Sequence, residues 1–363
     1  MLRREPPHGS LRSMLAEPGP SHNTIMRVLL ALLTAALLLP LQAQQRKVVV
    51  IGQSSEIISE LQAASPSNVT ITHVAARGPG DANLLREVAD AHAIIGNPTR
   101  AAVQAAEDLE WVQITSAGVK PYLYPELVDS NVVMTNAQTL SSAAIADHGF
   151  AMLLALTRKL NFFISDRTNE TWRRGSYDLE ELEGKTALVI GTGGIGSNVA
   201  RRAKAFGMTV IGVDPDEFPP RQSFDRMVFP DRLDQVIPEA DAVFVCAPHT
   251  KDSAGMLGPA QFELMKRGSY FIALSRGKLY DMSALVKALD RQHLAGAGVD
   301  VTDPEPLPKG HPLWKFDNAI ITPHVATQGL LGGQLRIRLY MENIARFGAG
   351  ERLRNVVDME KEY

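Results

Sequence analysis

The chain has 363 residues, 45% of them hydrophobic and 21% charged, which is enough for two domains that each bury a core. A formal net charge of -3 excludes the basic footprint that nucleic-acid binding requires. The single cysteine, Cys246, excludes an internal disulfide and a thiolate metal cage, and no metal is expected.

Taken in chain order, residues 1–25 show neither helical nor strand period. Met26 and Arg27 then open an apolar run at 28–39, followed by Pro40, Leu41, Gln42 and Ala43. A charged start, a short apolar run and a small residue form the pattern of a secretory signal over 26–43, within a leader ending at 45. The run is too short for a comfortable membrane span, so no stable span is expected after processing. If the signal is used the chain is exported, to the periplasm; an uncleaved extension leaves it cytoplasmic.

From residue 46 onward short β-branched runs alternate with helical stretches, as in α/β domains with parallel sheets. Apolar runs at 47–52, 69–74, 93–95, 111–114 and 132–135 give five strands of a first unit. Residues 143–160 carry apolar side chains at three- and four-residue spacing and predict one long helix, with a polar stretch at 165–183 after it. A second alternation follows at 186–190, 209–213, 242–246, 270–274, 296–299 and 319–322, and six strands suit a dinucleotide-binding sheet. A last helix is predicted over 333–347. Apolar surface on this helix and on the long helix from residue 143 predicts a homodimer.

The second alternation opens on a strand, then Gly191-Thr192-Gly193-Gly194-Ile195-Gly196, then a helix. Glycine spacing alone is weak, but between a strand and a helix it is the phosphate-binding arrangement. Gly191 serves the tight turn, Gly193 the approach of a pyrophosphate, and Gly196 the packing of helix on strand; Gly194 and Ile195 complete the loop at the helix N-terminus. Asp214 ends the next strand, where a carboxylate accepts from both ribose hydroxyls and repels a 2′-phosphate. This favours NAD over NADP, with Arg221 a nearby cation that softens the preference.

Of nine histidines, His324 stands out because it closes the strand run 319–322 followed by Pro323. Ligands of open α/β sheets bind beyond the carboxyl ends of strands, where an imidazole is placed for proton transfer. His148 falls inside the long helix and reads as structural, and His249 follows Pro248 where it could border a cofactor. Arg276 follows one strand end, Asp300 closes another, and Glu305 lies in the loop after it. Together they supply a cationic anchor, an acid/base and a carboxylate to tune it, the set that hydride transfer to a keto acid requires.

On these segments the chain resembles the D-isomer-specific 2-hydroxyacid dehydrogenases, from about Lys47 onward. Ser275-Arg276-Gly277 with Asp281 resembles the arginine motif of that family, the segment 300–308 its glutamate motif, and 311–324 its histidine motif. The resemblance implies two Rossmann-like doubly wound parallel-sheet domains, the substrate domain discontinuous (46–142 and 327–363) around an NAD-binding domain at 143–326. It implies Arg276, Glu305 and His324 as the catalytic trio and Asp300 as the nicotinamide-carboxamide contact. Ser275, Pro248 and Thr250 would line the cofactor, and Gly118 and Val119 would receive the substrate carboxylate beside Arg276. The expected ligands are NAD and a small 2-keto or 2-hydroxy acid. A non-catalytic NADH-sensing scaffold and a formate or phosphonate dehydrogenase are the alternatives. Three positions depart from the family's pattern: Ala273 replaces an Asn, Gln138-Thr139 stands where a Gly is usual, and Asp147 replaces a Glu.

Overall fold

The computed structural model describes residues 44–75, 78, 80–216 and 223–363; the expected signal segment and Arg221 lie outside them. Strands β1 (Arg46–Ile51), β2 (Val69–Val74), β3 (Ala93–Ile95), β4 (Trp111–Gln113) and β5 (Val133–Thr135) form one parallel sheet in the order β2-β1-β3-β4-β5. Helices α1 (Ser55–Ala64), α2 (Ala82–Val88), α3 (Arg100–Ala105) and α4 (Pro125–Val128) connect them. Val48, Val49 and Val50 are all fully buried, as expected for a strand covered on both faces rather than on alternate sides.

Helices α5 (Ser142–Thr157) and α6 (Leu160–Thr168) lead to the second sheet. It contains β6 (Thr186–Ile190), β7 (Thr209–Val213), β8 (Arg226–Val228), β9 (Ala242–Val245), β10 (Tyr270–Ala273), β11 (Gly296–Val299) and β12 (Ala319–Ile321). Their order is β12-β11-β10-β9-β6-β7-β8, all parallel, which reverses direction between β6 and β9. Helices α7 (Gly194–Ala205), α8 (Leu233–Val236), α9 (Pro259–Leu264) and α10 (Met282–Asp290) lie within this half. Two doubly wound parallel sheets are therefore present, as expected.

The last helix, α11 (Leu330–Ala349), returns to the first sheet: Tyr340, Ile344 and Phe347 share a core with Val48, Val50, Ile58, Leu61 and Trp111. Asn343 is fully buried there. Its amide donates to Gln113 Oε1 at 3.0 Å and to the Arg354 carbonyl at 3.1 Å, and its oxygen accepts from the Arg354 N–H at 2.8 Å.

Three details differ from the sequence expectation. The long helix stops at Thr157, because Lys159 adopts a left-handed φ of 56° and α6 starts anew from it. That second helix runs to Thr168, into the stretch read from the sequence only as polar. A seventh strand, β8, pairs at the edge with β7; three residues hold too little pattern to announce it. Helix α5 is covered within the chain, since Ile145, Phe150, Met152, Leu153 and Leu156 enter the core, which removes that helix from the argument for a dimer.

Asn343→Leu deletes three buried hydrogen bonds and should lower stability by about 2 kcal/mol or more. A urea midpoint unchanged from the parent chain would show that this contact does not tie α11 to the first sheet.

Candidate active site

Strand register sets the site. Ile190 lies beside Val213 and Val245, Val245 beside Ala273, Ala273 beside Val299, and Val299 beside Ile321. The strands therefore end abreast. The residues that follow them, Gly191, Asp214, Asp300 and Thr322 among them, emerge in one row along the sheet's carboxyl edge, where open α/β sheets bind ligands.

At the β6 end, Gly191 has a φ of 88°, and a Cβ on it would stand 2.4 Å from the Ala247 backbone. A Cβ on Gly196 would meet the Gly191 carbonyl oxygen at 2.0 Å, so that glycine packs helix on strand. Gly193 is different: a Cβ there meets nothing within 4 Å, and its face opens outward at the start of α7. Gly194 and Ile195 form the first turn of α7, whose free N–H groups and dipole suit a phosphate. Asp214, nearly buried, accepts from Thr192 N at 2.7 Å and Thr192 Oγ1 at 3.0 Å, tying the loop to the end of β7. Thr139, in the Gln138-Thr139 segment, has a φ of 71° and packs against Gly194.

The β11 and β12 ends hold the ionisable groups. Asp300 is 2% exposed, and its carboxylate accepts from Thr322 Oγ1 at 2.6 Å, Val325 N at 2.9 Å and Ala326 N at 3.0 Å. Its carbonyl accepts from His324 N at 2.8 Å. These bonds bend the chain so that His324 takes a φ of 54°, a left-handed conformation that costs a non-glycine residue about 1–2 kcal/mol. His324 Nδ1 lies 2.9 Å from Glu305 Oε2, and Glu305 Oε1 accepts from Thr302 N at 2.9 Å. With Nδ1 engaged, Nε2 is the nitrogen left to exchange a proton with a ligand.

Arg276, just past β10, reaches the first sheet. A Cβ on Gly118 would stand 2.5 Å from Arg276 Nη2, so the glycine admits the guanidinium against the loop after β4. Arg276 Nη1 donates to the Ser275 carbonyl at 2.6 Å, and Val119 beside Gly118 is buried. The Ser275 hydroxyl is buried with no hydrogen-bond partner among the described residues. In the loop after β9, Ser253 Oγ donates to the Pro248 carbonyl at 2.6 Å and accepts from Thr250 N at 2.8 Å. An open glycine face, a carboxylate at the second strand end and an unsatisfied buried hydroxyl fit a dinucleotide laid along this edge.

Two sets of residues join this region without any sequence signal. His148, on α5, places Nε2 2.9 Å from Thr322 Oγ1. The segment 358–363 also crosses it: Lys361 pairs with Asp216 at 2.9 Å, while Glu362 lies 3.5 Å from Lys120 and 3.7 Å from Lys251. Nothing in the spacing of residues 359–363 marks them. Burial, then the charges of Lys120, Lys278 and Arg276, hold the His249 imidazole below its ordinary range, while Glu362 pulls the other way. Cys246 is buried and its thiol is pushed far up, consistent with an inert core residue. Among the described residues no group of His, Cys, Asp and Glu is arranged to hold a metal ion, and no helix is long and apolar enough to cross a membrane.

A profile of the family described as "D-isomer specific 2-hydroxyacid dehydrogenase, NAD binding domain" matches residues 150–326. A glyoxylate reductase of Korarchaeum cryptofilum is 30% identical over 292 residues, covering 78% of this chain and 87% of that protein. A D-3-phosphoglycerate dehydrogenase of Archaeoglobus fulgidus is 32% identical over 281 residues; the match covers 76% of this chain but 53% of that longer protein. The crystal structure of a D-isomer specific 2-hydroxyacid dehydrogenase family protein from Aeromonas salmonicida superposes with a TM-score of 0.74 at 28% identity, covering 87% of this chain and all of that one. The chain belongs to the D-isomer-specific 2-hydroxyacid dehydrogenases, a family of NAD(P)-dependent oxidoreductases.

Glu362→Gln removes the charge that opposes the cations around His249, so His249 should titrate at still lower pH. Proton NMR of the imidazole reads this directly; an unchanged or higher midpoint would mean that segment 358–363 does not sit beside His249 in solution.

Proposed function

We propose that the chain is an NAD-dependent enzyme that interconverts a small 2-keto acid and the corresponding D-2-hydroxy acid by hydride transfer. The observation that carries this is the His324–Glu305 pair at 2.9 Å, on the same edge as an Arg276 lodged against the Gly118 loop of the other sheet. The proposed division assigns 46–142 and 327–363 to substrate and 143–326 to the dinucleotide. The core shared by α11 and the first sheet supports it.

A nicotinamide cofactor, when bound, supplies the hydride for reduction and accepts it for oxidation. In the proposed mechanism Arg276 and the N–H groups of Gly118 and Val119 hold the substrate carboxylate. Arg276 also polarises the keto oxygen, and protonated His324 donates to that oxygen from Nε2. In the oxidative direction neutral His324 takes the hydroxyl proton at the same nitrogen. Glu305 orients the ring through Nδ1 and stabilises the imidazolium. The loop Gly191, Gly193, Gly194, Ile195 and Gly196 receives the pyrophosphate, Pro248 and Thr250 flank it, and Ser275 and Asp300 face the carboxamide. Asp214 accepts from the ribose hydroxyls, and its charge disfavours a 2′-phosphate, which is the ground for NAD over NADP.

A homodimer is the proposed assembly, now on different grounds. Leu160, Ile164 and Trp172, the last 94% exposed, give α6 and the loop after it an apolar surface facing outward.

Steady-state assays with glyoxylate, hydroxypyruvate and NADH test the reading. Turnover should be measurable, and His324→Ala should lower it by about a hundredfold or more while NADH binding persists. NADH bound without turnover of any 2-keto acid would instead indicate a sensor. NADH should also be preferred to NADPH, and Asp214→Ala should narrow the gap. Equal kcat/KM for the two cofactors in the parent chain would contradict the role given to Asp214.

A further inference from the structure

Helix α5 lies unusually close to the second sheet. A Cβ on Gly149 would stand 2.7 Å from Leu274 Cδ1, and one on Gly298 would stand 2.8 Å from Met152 Cβ. Glycine on each side of the contact lets helix and strands approach, and that brings His148 over the end of β12. Its Nε2 is then 2.9 Å from Thr322 Oγ1, and Thr322 Oγ1 is 2.6 Å from Asp300 Oδ1.

The direction of these bonds follows from counting protons. A threonine hydroxyl has one proton to donate and lone pairs with which to accept. Asp300 acts as an acceptor towards Thr322, Val325 and Ala326, so the Thr322 proton points to Asp300. The Thr322 oxygen must therefore accept from His148, which carries its proton on Nε2. That N–H occupies one lone pair of Thr322 and prevents the hydroxyl from rotating away from Asp300. Asp300 in turn holds the Val325 and Ala326 N–H groups, and with them the turn that presents His324.

We propose that His148 is a positioning residue for the proposed hydride transfer, acting through the Thr322 hydroxyl on the Asp300 carboxylate that sets the His324 turn. Its Nε2 lies against Thr322 Oγ1, and at 3.7 Å from Asp300 Oδ1, rather than against His324 or Arg276. This rests on the site reading above, in which Asp300 faces the carboxamide and His324 exchanges the proton. His148 thereby links the helix between the two sheets to the segment carrying the acid/base. One hydrogen bond in such a chain is worth a factor of about two to ten.

The test compares His148→Leu, which removes the donor, with His148→Gln, whose amide nitrogen reaches the place of Nε2. His148→Leu should lower kcat for keto-acid reduction about fivefold to tenfold with KM for the keto acid little changed. It should also weaken NADH binding, read by fluorescence titration, about threefold. His148→Gln should restore both to within about twofold. Thr322→Val, nearly isosteric, also takes a donor from Asp300 and should lose at least as much as His148→Leu. The double variant should lose no more than Thr322→Val alone, because His148 acts through that hydroxyl. If His148→Leu folds poorly, the Gln and Val variants carry the comparison. The proposal is overturned if His148→Leu and Thr322→Val leave kcat and NADH affinity unchanged, if Gln does no better than Leu, or if the two losses multiply. Asp300→Asn separates this from the site reading. A damaging Asp300→Asn beside harmless His148 and Thr322 variants sinks only the relay, whereas a harmless Asp300→Asn sinks the reading beneath it.

Discussion

The candidate site depends on one buried carboxylate. Asp300 gathers the Thr322 hydroxyl and two backbone N–H groups on its side chain, and the His324 N–H on its carbonyl. A carboxylate at 2% exposure is tolerable only when it is hydrogen-bonded, and its three donors come from the segment 322–326, with His148 Nε2 a further 3.7 Å from Oδ1. The same bonds hold His324 in a left-handed conformation that an unsupported histidine would leave. The cost of burying Asp300 and the cost of bending His324 are thus offset by one set of contacts. The result is an imidazole whose Nδ1 meets Glu305 and whose Nε2 is the nitrogen that the proposed proton exchange uses.

A second constraint joins the two sheets. Arg276 leaves the edge of the second sheet and lies against Gly118 in a loop of the first, so its guanidinium touches both halves. Helix α11 closes the fold from the other direction by returning to the first sheet, where Asn343 is satisfied by Gln113 and Arg354. The segment beyond it then crosses to Lys251 and Asp216 of the second half. Glu362 draws Lys120 and Lys251, from opposite halves, to one carboxylate. Glu362 is largely buried but both lysines face solvent. Pairs at 3.5 and 3.7 Å to such lysines contribute little stability, so the effect of Glu362 falls on the local charge around His249 rather than on the fold.

Much of this was legible in the sequence because it is local. Runs inside the strands such as 48–51 and 187–190 are apolar throughout, and that continuity follows from burial on both faces of a parallel sheet. The glycine loop was legible because backbone geometry at Gly191 and close packing at Gly196 leave no room for a side chain. Elements failed where the signal was short or was overridden. Three residues of β8 carry no period, and the left-handed turn at Lys159 divides a helix whose apolar pattern runs on past it.

By itself the sequence determined the fold class, the family, and the row of strand-end residues that holds Gly191, Asp214, Asp300 and His324. Each depends on residue type and on position relative to a strand, and the chain order fixes both. Only the tertiary structure decided which of these groups meet. His148 sits 174 residues from Thr322, and no helical period distinguishes an imidazole that packs from one that donates. That Arg276 lodges against Gly118, and that Glu362 lies between Lys120 and Lys251, follows from how two sheets and a returning helix pack. Contacts between elements distant in the chain are set by packing geometry, which spacing along the chain does not encode.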